Sequence, residues 1–195
     1  MVTGLEIVRQ SDVVVVGGGL AGIAAAISAA RLGCKVALVQ DRPVLGGNSS
    51  SEIRCGIAGA AHSNGSNRQA RETGIIEELI MEYSYRNPHN SYSVWDTILW
   101  EWVTKEPNIT LYLNTRAKHA VMKSPTTIDG VIAEQTSTEK EYLLKGHIFI
   151  DASGDGLIAY DAGAMFRMGR EAQSEHGETL APIEADNYTL GSTLF

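Results

Sequence analysis

The sequence predicts an α/β fold in which a Rossmann-like parallel sheet carries a βαβ dinucleotide-binding unit and a β-meander forms the crossover to the last strand. Three observations lead to this prediction. Four valines at 13–16 run directly into a glycine-rich turn, an alanine-rich segment then leads to a second apolar run, and several short strand-like runs precede a last one at 147–151. Apolar runs without alternation are typical of strands that are covered on both faces of a parallel sheet.

The length and charge of the chain exclude several classes of partner. Its 195 residues are 44% hydrophobic, which is enough for one sizeable core, and its net charge is −7. Because no long Lys/Arg cluster offsets this charge, we expect neither nucleic acid nor a membrane surface as a partner. The chain shows no apolar run of membrane-spanning length and no signal-peptide pattern, so a cytoplasmic location and a small-molecule partner are expected.

The glycine turn after the first predicted strand, 12–16, fits the pattern G-x-G-x-x-G through Gly17, Gly19 and Gly22. A helix predicted over 20–32 begins directly at this turn. In such a unit Gly17 permits the tight turn, Gly19 lets a pyrophosphate approach the backbone, and Gly22 brings the helix against the strand. The helix N-terminus then faces the anion with its N–H groups and its positive dipole end. We therefore predict a dinucleotide phosphate here; a tight turn without a ligand is the alternative.

The second strand of the βαβ unit is predicted over 35–39, after Gly33 ends the helix. A carboxylate normally follows this strand and holds the ribose hydroxyls of the adenosine. This chain has Gln40 at that position, followed by Asp41. An amide offers one good acceptor in place of a charged bidentate one, so Asp41 is the alternative ribose ligand.

A long stretch over 41–67 is rich in glycine, serine and asparagine and lacks helical or strand periodicity. We predict a functional loop at the ligand end of the sheet, because loops of this length in compact domains usually carry function. Residues 68–87 and 93–107 have the apolar spacing of helices. The apolar face of the second helix is predicted to lie in the core and consists of Trp95, Leu99, Trp102 and Val103.

Short strands are predicted over 108–124, 130–137 and 140–156, and they form a β-meander inserted before the last strand of the parallel sheet. Short strand-like runs there are separated by turn residues, and Asp129-Gly130 is predicted to be one of the turns. The last strand of the parallel sheet, 147–151, ends in small residues before a helix predicted over 157–163. Asp155 either caps this helix or binds the ribityl or phosphate part of a ligand.

The two cysteines, Cys34 and Cys55, are far apart and form no C-x-x-C pair. We therefore predict two free thiols. The spacing of the histidines fits no metal site, so no metal is expected.

Two long motifs together resemble one family. The segments VVVVGGGLAGIAAAISAARLGCKVALVQDRPVLGGNSSSEIR and IFIDASGDGLIAYDAGA, with a meander between them, are similar to the N-terminal part of bacterial FAD-dependent oxidoreductases with the two-dinucleotide-binding-domain flavoprotein fold. Within them, QDRPVLGGNSSSE and DASGDG, together with ETGIIEEL, are the more specific parts. The resemblance covers nearly the whole chain. It implies FAD as the cofactor and hydride transfer between flavin and a small organic substrate.

The resemblance also implies a set of cofactor-binding residues on the loops that follow the parallel strands. Gln40 departs from the glutamate that most flavoproteins have at its position. By position, the implied residues are Gly17, Gly19, Leu20, Ala21 and Gly22 at the pyrophosphate; Gln40, Asp41 and Arg42 around the adenosine; Gly46, Gly47, Asn48 and Ser49 toward the flavin; Ala117 at the adenine; and Ala152, Ser153, Gly154 and Asp155 closing the pocket.

Catalytic residues are harder to place, because a flavin performs hydride transfer itself. Arg54, Cys55 and His62 lie in the loop that the resemblance takes past the isoalloxazine. Arg54 would steady an anionic reduced flavin or substrate, and His62 would move a proton. A loop arginine in a salt bridge and a surface histidine are the alternative interpretation.

The resemblance further implies that 1–163 form the FAD-binding domain and that 164–195 begin a truncated substrate domain. The apolar ending over 189–195 is expected to be the cut end of a fragment or of a truncated gene product. Such a fragment is expected to bind FAD weakly and to show no substrate turnover. Self-association with another copy through exposed apolar surface is also expected. An NAD(P)-binding domain and a non-catalytic remnant of a flavoprotein stay open as alternative functions.

Overall fold

A computed structural model of the protein describes residues 6–57 and 70–186. By its internal contacts the chain divides into two units, Met1–Ala162 and Gly163–Phe195. In chain order the first unit consists of β1 (Glu6–Gln10), β2 (Val13–Val16), α1 (Leu20–Arg31), β3 (Val36–Val39), α2 (Gly74–Arg86), α3 (Tyr92–Lys105), β4 (Ile109–Tyr112), β5 (Thr115–Ser124), β6 (Thr127–Gln135), β7 (Lys140–Lys145), β8 (Ile148–Asp151) and α4 (Leu157–Asp161).

The parallel sheet has the strand order β4-β3-β2-β8, with every neighbouring pair parallel. All residues of β2 and β3 are buried, as their unbroken apolar sequence predicts. The helix α1 lies against this sheet with Ile23, Ala26, Ile27 and Ala30 buried. The predicted βαβ unit is therefore confirmed, and its helix ends within one residue of the expected position.

The second sheet has the strand order β1-β7-β6-β5. The strands β5, β6 and β7 form the predicted antiparallel meander. The first of the strand-like runs assigned to it is wrong, because 109–112 form β4 and pair in parallel with β3 in the other sheet. The strand β1, which the sequence patterns did not reveal, adds to β7 in parallel. The predicted turn at Asp129-Gly130 is wrong, because both residues lie inside β6 and the turn falls at 125–126. Close packing accounts for the glycine at this position, since a Cβ on Gly130 would lie 2.9 Å from Cδ1 of Leu143.

The helices α2 and α3 cover one face of the parallel sheet together with α1. The core role predicted for Trp95, Leu99 and Val103 is confirmed, since all three are buried. Trp102 is half-buried, with the guanidinium of Arg31 5.5 Å from the centre of its ring. None of the described helices is long and apolar enough to cross a membrane.

The second unit is described for 163–186. It contains the short helix α5 (Gln173–His176) and an isolated antiparallel bridge between Arg170 and Asp186. Arg167 pairs with Glu175 at 2.6 Å. Several large apolar side chains of this unit are exposed, among them Met165, Leu180 and Ile183.

Candidate functional site

The first glycine loop, 17–19, joins the end of β2 to α1. Gly17 has a φ of +102°, and a Cβ there would lie 2.2 Å from the carbonyl oxygen of Ala152, so only glycine fits. A Cβ on Gly22 would lie 1.8 Å from the carbonyl oxygen of Gly17. The turn and packing roles predicted for Gly17 and Gly22 are thus confirmed. At Gly19, by contrast, an added Cβ would meet no atom of the described chain within 4 Å.

The second glycine loop, 46–49, lies directly beside the first. The N–H of Gly46 donates a 2.8 Å hydrogen bond to the carbonyl of Gly18, and Gly46 forms a parallel bridge with Gly19. A Cβ on Gly47 would lie 3.2 Å from the Cα of Gly19. Residues Gly47–Ser49 form one turn of 3-10 helix that the sequence patterns did not predict.

The third loop follows β8 and meets the first loop at Gly17. The N–H of Ala152 donates to the carbonyl of Val16 at 2.7 Å, and an added Cβ on Gly17 would also lie 2.8 Å from the Cα of Ser153. Three loops of small residues therefore converge at the N-terminus of α1.

The start of α4 is capped by residues other than Asp155. The N-cap residue is Gly156, so the N-cap alternative for Asp155 is wrong. Ser153 accepts a hydrogen bond from the N–H of Leu157 at 3.1 Å through its hydroxyl. Asp151 accepts hydrogen bonds from the N–H groups of Ser153 and Ala159 at 3.0 and 2.8 Å. Asp155 is exposed, and its contact with a ligand stays a prediction.

Ser49 is buried under the second loop. Its hydroxyl donates to the carbonyl of Gly46 at 2.9 Å and accepts from the indole N–H of Trp95 at 3.0 Å. Asp96, the next residue of α3, accepts a 2.9 Å hydrogen bond from the N–H of Ser51. Sequence reasoning assigned Trp95 only to the core and missed Asp96. A usable signal was present in Trp95, because a buried indole N–H requires a hydrogen-bond acceptor.

Gln40 is 5% exposed and lies behind the first glycine loop. Its side-chain oxygen accepts from the N–H of Gly18 at 2.8 Å, and its side-chain nitrogen donates to the carbonyl of Val44 at 3.1 Å. The ribose contact that the resemblance implies stays a prediction. Of its neighbours, Asp41 is exposed and Arg42 makes a bidentate pair with Glu52, at 2.8 and 3.0 Å.

The predicted adenine contact, Ala117, lies in β5, the last strand of its sheet. Ala117 is buried and paired with Ala133 of β6. The N–H of Thr115, at the start of β5, donates to the carbonyl of Gln40 at 2.9 Å, which places this strand against the end of β3. An end strand has backbone groups that are not used by a neighbouring strand, and those are the groups that an adenine ring can bind.

Arg54 and Cys55 are held to the second glycine loop. Arg54 has a φ of +64°, its guanidinium donates to the carbonyl of Ser51 at 2.9 Å, and its own carbonyl accepts from the hydroxyl of Tyr92 at 2.8 Å. The N–H of Cys55 donates to the carbonyl of Asn48 at 2.8 Å. Within the described part of the chain, the guanidinium of Arg54 pairs with no carboxylate.

Three further sequence predictions concern a proton carrier, the two thiols and a metal site. His62, the predicted proton carrier, lies outside the described residues. Cys34 and Cys55 are both free thiols, as predicted. Across residues 6–57 and 70–186, no group of three or more His, Cys, Asp or Glu side chains is placed to hold a metal ion.

The electrostatics at α1 favour a bound anion. The first backbone N–H groups of a helix have no acceptor within the helix, and the helix dipole is positive at this end. The N-cap residue Gly19 provides no side chain to occupy these donors, and the first turn carries no acidic residue. Together with the open space at Gly19, these residues fit the pyrophosphate of a dinucleotide.

A profile of the FAD dependent oxidoreductase family matches residues 12–193, nearly the whole chain. The chain belongs to this family. FAD is accordingly its cofactor. The family predicted by the two long sequence motifs is confirmed.

One curated relative is fumarate reductase (cytochrome) of Shewanella frigidimarina, with 39% identity over 79 residues. The matched segment makes up 40% of this FAD dependent oxidoreductase chain and 13% of the relative. The chain therefore spans only a small part of the length of the curated relatives that it matches.

Solved structures with a similar fold confirm the predicted fold class. A geranylgeranyl bacteriochlorophyll reductase-like protein from Thermoplasma acidophilum matches with a TM-score of 0.55 and 20% identity, over 84% of this chain and 45% of that one. THI4 of Thermovibrio ammonificans matches with a TM-score of 0.56 and 19% identity, over 90% of this chain and 76% of that one. At these identities the likeness concerns the fold alone.

Proposed function

We propose that this chain is the FAD-binding part of an oxidoreductase that transfers hydride between flavin and a small organic substrate. The observation that carries the proposal is the convergence of three small-residue loops at the N-terminus of α1, in a chain of the FAD dependent oxidoreductase family. In this proposal 1–163 form the FAD-binding domain and 164–195 belong to the substrate domain. Hydride transfer to or from a substrate carbon is the chemistry that FAD supplies when bound.

The pyrophosphate is proposed to bind at the first glycine loop. The N–H groups at the start of α1 would donate to its oxygens, and the open space at Gly19 allows the close approach. The other proposed contacts come from the neighbouring loops and from β5. They are Asp41, Arg42 and Ala117 at the adenosine, Gly46, Gly47 and Asn48 toward the flavin, and Ala152, Ser153, Gly154 and Asp155 at the far side of the pocket.

Arg54, Cys55 and His62 are proposed to serve the reacting end of the site. Cys55 is tied to the second glycine loop by its hydrogen bond to Asn48, and Arg54 is tied by its hydrogen bond to Ser51, two residues after that loop. A guanidinium at this place would stabilise the negative charge of a reduced flavin or of an anionic substrate. His62 would hold or release the proton that accompanies hydride transfer.

A cytoplasmic location is proposed from the two unpaired cysteines, because disulfides are rare in reducing compartments. The net charge of −7 supports a partner that is neither nucleic acid nor an anionic membrane. The exposed Met165, Leu180 and Ile183 support self-association of the chain through its second unit.

The proposal is tested by calorimetric titration of the purified 195-residue chain, once with FAD and once with NAD. We expect FAD to bind more tightly than NAD, because three loops accommodate the longer dinucleotide. Tighter binding of NAD would favour the NAD(P)-binding alternative, and a folded chain that binds neither would favour a non-catalytic remnant. Loss of the absorbance of the oxidised flavin on addition of a candidate substrate tests the oxidoreductase activity itself.

A further inference from the structure

We infer that Gln40 is a positioning residue for the FAD phosphates, whose neutral amide joins the two glycine loops from behind, and that it is not a ribose ligand. The inference rests on the proposed FAD site. At Gln40 this chain has an amide where the dinucleotide-binding pattern has a carboxylate.

Gln40 connects four segments of the chain through its backbone and its side chain. Its backbone N–H donates to the carbonyl of Tyr112 at 2.8 Å, and its carbonyl accepts from Thr115 at 2.9 Å. Its side-chain oxygen accepts from Gly18 in the first glycine loop, and its side-chain nitrogen donates to Val44, which precedes the second. The side chain is thus tied to both sides of the site.

The packing around Gly18 shows why the amide holds the first loop firmly. A Cβ on Gly18 would lie 2.6 Å from Cδ2 of Leu45 and 3.0 Å from Cβ of Gln40. The peptide groups of Gly18 are fully used, because its N–H donates to Gln40 and its carbonyl accepts from Gly46. The position of Gly19, where the pyrophosphate is proposed to approach, follows from these two bonds.

A neutral amide can make both side-chain bonds in this environment, and an ionised carboxylate cannot. The contact with Gly18 requires an acceptor and the contact with Val44 requires a donor, and an ionised carboxylate has acceptors only. A carboxylate here would also place a negative charge at a site that is 5% exposed, against the carbonyl oxygen of Val44. A protonated carboxyl, in contrast, has one acceptor and one donor and restores the pattern of the amide.

The variant Gln40→Glu tests the inference, because the two roles predict different effects of pH. For a positioning residue, the variant binds FAD about tenfold more weakly than the wild type at pH 8, which corresponds to one lost buried hydrogen bond. Burial beside the carbonyl oxygen of Val44 raises the pKa of the introduced carboxyl well above its ordinary value of about 4.3. As the pH falls to 6, the affinity and the melting temperature of the apoprotein therefore return toward the wild-type values, because the carboxyl becomes protonated. A carboxylate that binds the ribose stays ionised at both pH values and predicts binding at least as tight as that of the wild type at pH 8, with no gain in affinity at pH 6.

Three controls make the result decisive. The wild-type chain, measured at the same pH values, accounts for the flanking Asp41 and Arg42 and for Glu52, which pairs with Arg42. Gln10→Glu adds the same charge at an exposed position in β1. This variant is expected to change neither the affinity for FAD nor the melting temperature. Gln40→Met has a side chain of similar shape but makes neither of the two side-chain hydrogen bonds of Gln40. This variant is expected to bind FAD weakly at both pH values.

The outcomes for the inference and for the FAD site are distinguishable. A wild-type chain that binds no FAD overturns the proposed function, while the melting temperatures of Gln40→Glu still report on the two side-chain bonds. A wild-type chain that binds FAD, with a Gln40→Glu variant that binds equally well or better at pH 8, overturns the inference. If Gln40→Glu is unfolded at pH 8, folding of this variant at pH 6 supports the inference. A variant that stays unfolded at both pH values overturns the inference.

Discussion

The indole N–H of Trp95 donates a 3.0 Å hydrogen bond to the hydroxyl of Ser49, and that hydroxyl donates in turn to the carbonyl of Gly46. This chain of two bonds runs from the core helix α3 to the second glycine loop. Both Trp95 and Ser49 are buried, so neither bond exchanges readily with water. The helix packing thereby fixes the loop that is proposed to face the cofactor.

Replacement of Ser49 by alanine should loosen the second loop and destabilise the chain. The change removes the acceptor of the Trp95 indole, and an unsatisfied buried donor costs about 1–3 kcal/mol. Denaturant unfolding measures this loss, and a FAD titration is expected to show weaker binding. Trp95→Phe in the Ser49→Ala background supplies the double-mutant cycle. Additive effects of the two substitutions would contradict the coupling.

Gly19→Val should abolish FAD binding without unfolding the apoprotein. The φ and ψ of Gly19 are −70° and 178°, which suit a β-branched residue, and an added Cβ would meet no atom of the described chain within 4 Å. The side chain would instead fill the space proposed for the pyrophosphate. Flavin fluorescence in a titration measures binding, and circular dichroism measures folding.

Gly17→Ala is the matched comparison for Gly19→Val. At Gly17 the added Cβ would lie 2.2 Å from the carbonyl oxygen of Ala152, at a φ of +102°. Overpacking and left-handed strain together are expected to cost roughly 2–5 kcal/mol of folding stability. Flavin retained at wild-type stoichiometry by Gly19→Val would refute the pyrophosphate site.

The sequence was sufficient to predict the βαβ unit, because each of its features has one local physical cause. Buried apolar strands, a glycine turn and a stripe of small residues all specify the same arrangement of β2, α1 and β3. The convergence of the first and second loops was also predictable in outline, since the carboxyl ends of parallel strands meet at one edge of the sheet. These are the elements for which local propensity and tertiary structure agree.

The remaining features depend on contacts that are distant in sequence. Gly130 resembles a turn residue beside Asp129, but it lies inside β6, where an added Cβ would lie 2.9 Å from Cδ1 of Leu143 and 3.1 Å from the carbonyl oxygen of Leu144. Similarly, Asp155 precedes α4 in a way that suggests a cap, yet Ser153 and Asp151 already satisfy the first N–H groups of the helix. Only the fold decides which of several polar residues is close enough to bond.

Arg54→Gly should separate the backbone role of this position from the role of its side chain. Because Arg54 has a φ of +64°, glycine adopts its conformation without strain and should leave the free energy of unfolding within about 1 kcal/mol of the wild type. If the guanidinium stabilises negative charge on the reduced flavin, the reduction potential of FAD bound to the variant is expected to lie below that of FAD bound to the wild type. Arg54→Lys keeps a charge and should recover part of this difference. An unchanged reduction potential in Arg54→Gly would remove Arg54 from the proposed reacting end.

Asp151 should make the junction of β8 and α4 sensitive to acid. Burial raises the pKa of its carboxyl, but hydrogen bonds from the N–H of Ala159 and from Ser153 outweigh that effect, and the net pKa lies below the ordinary value of 3.8. A carboxylate with a depressed pKa in the folded state contributes stability above its unfolded pKa, and this contribution disappears as the pH falls through the folded value. We therefore expect the difference in unfolding free energy between wild type and Asp151→Asn to be about 1–3 kcal/mol at pH 7.

The same difference should shrink as the pH is lowered from 5 toward 3, because the wild-type carboxyl then becomes neutral like the amide. Urea unfolding of both proteins at each pH measures it. Asp155→Asn, at an exposed position on the same loop, is the matched control and should show a much smaller difference at every pH. A difference for Asp151→Asn that is constant or grows on acidification would show that the carboxylate charge is not what holds the start of α4 to β8.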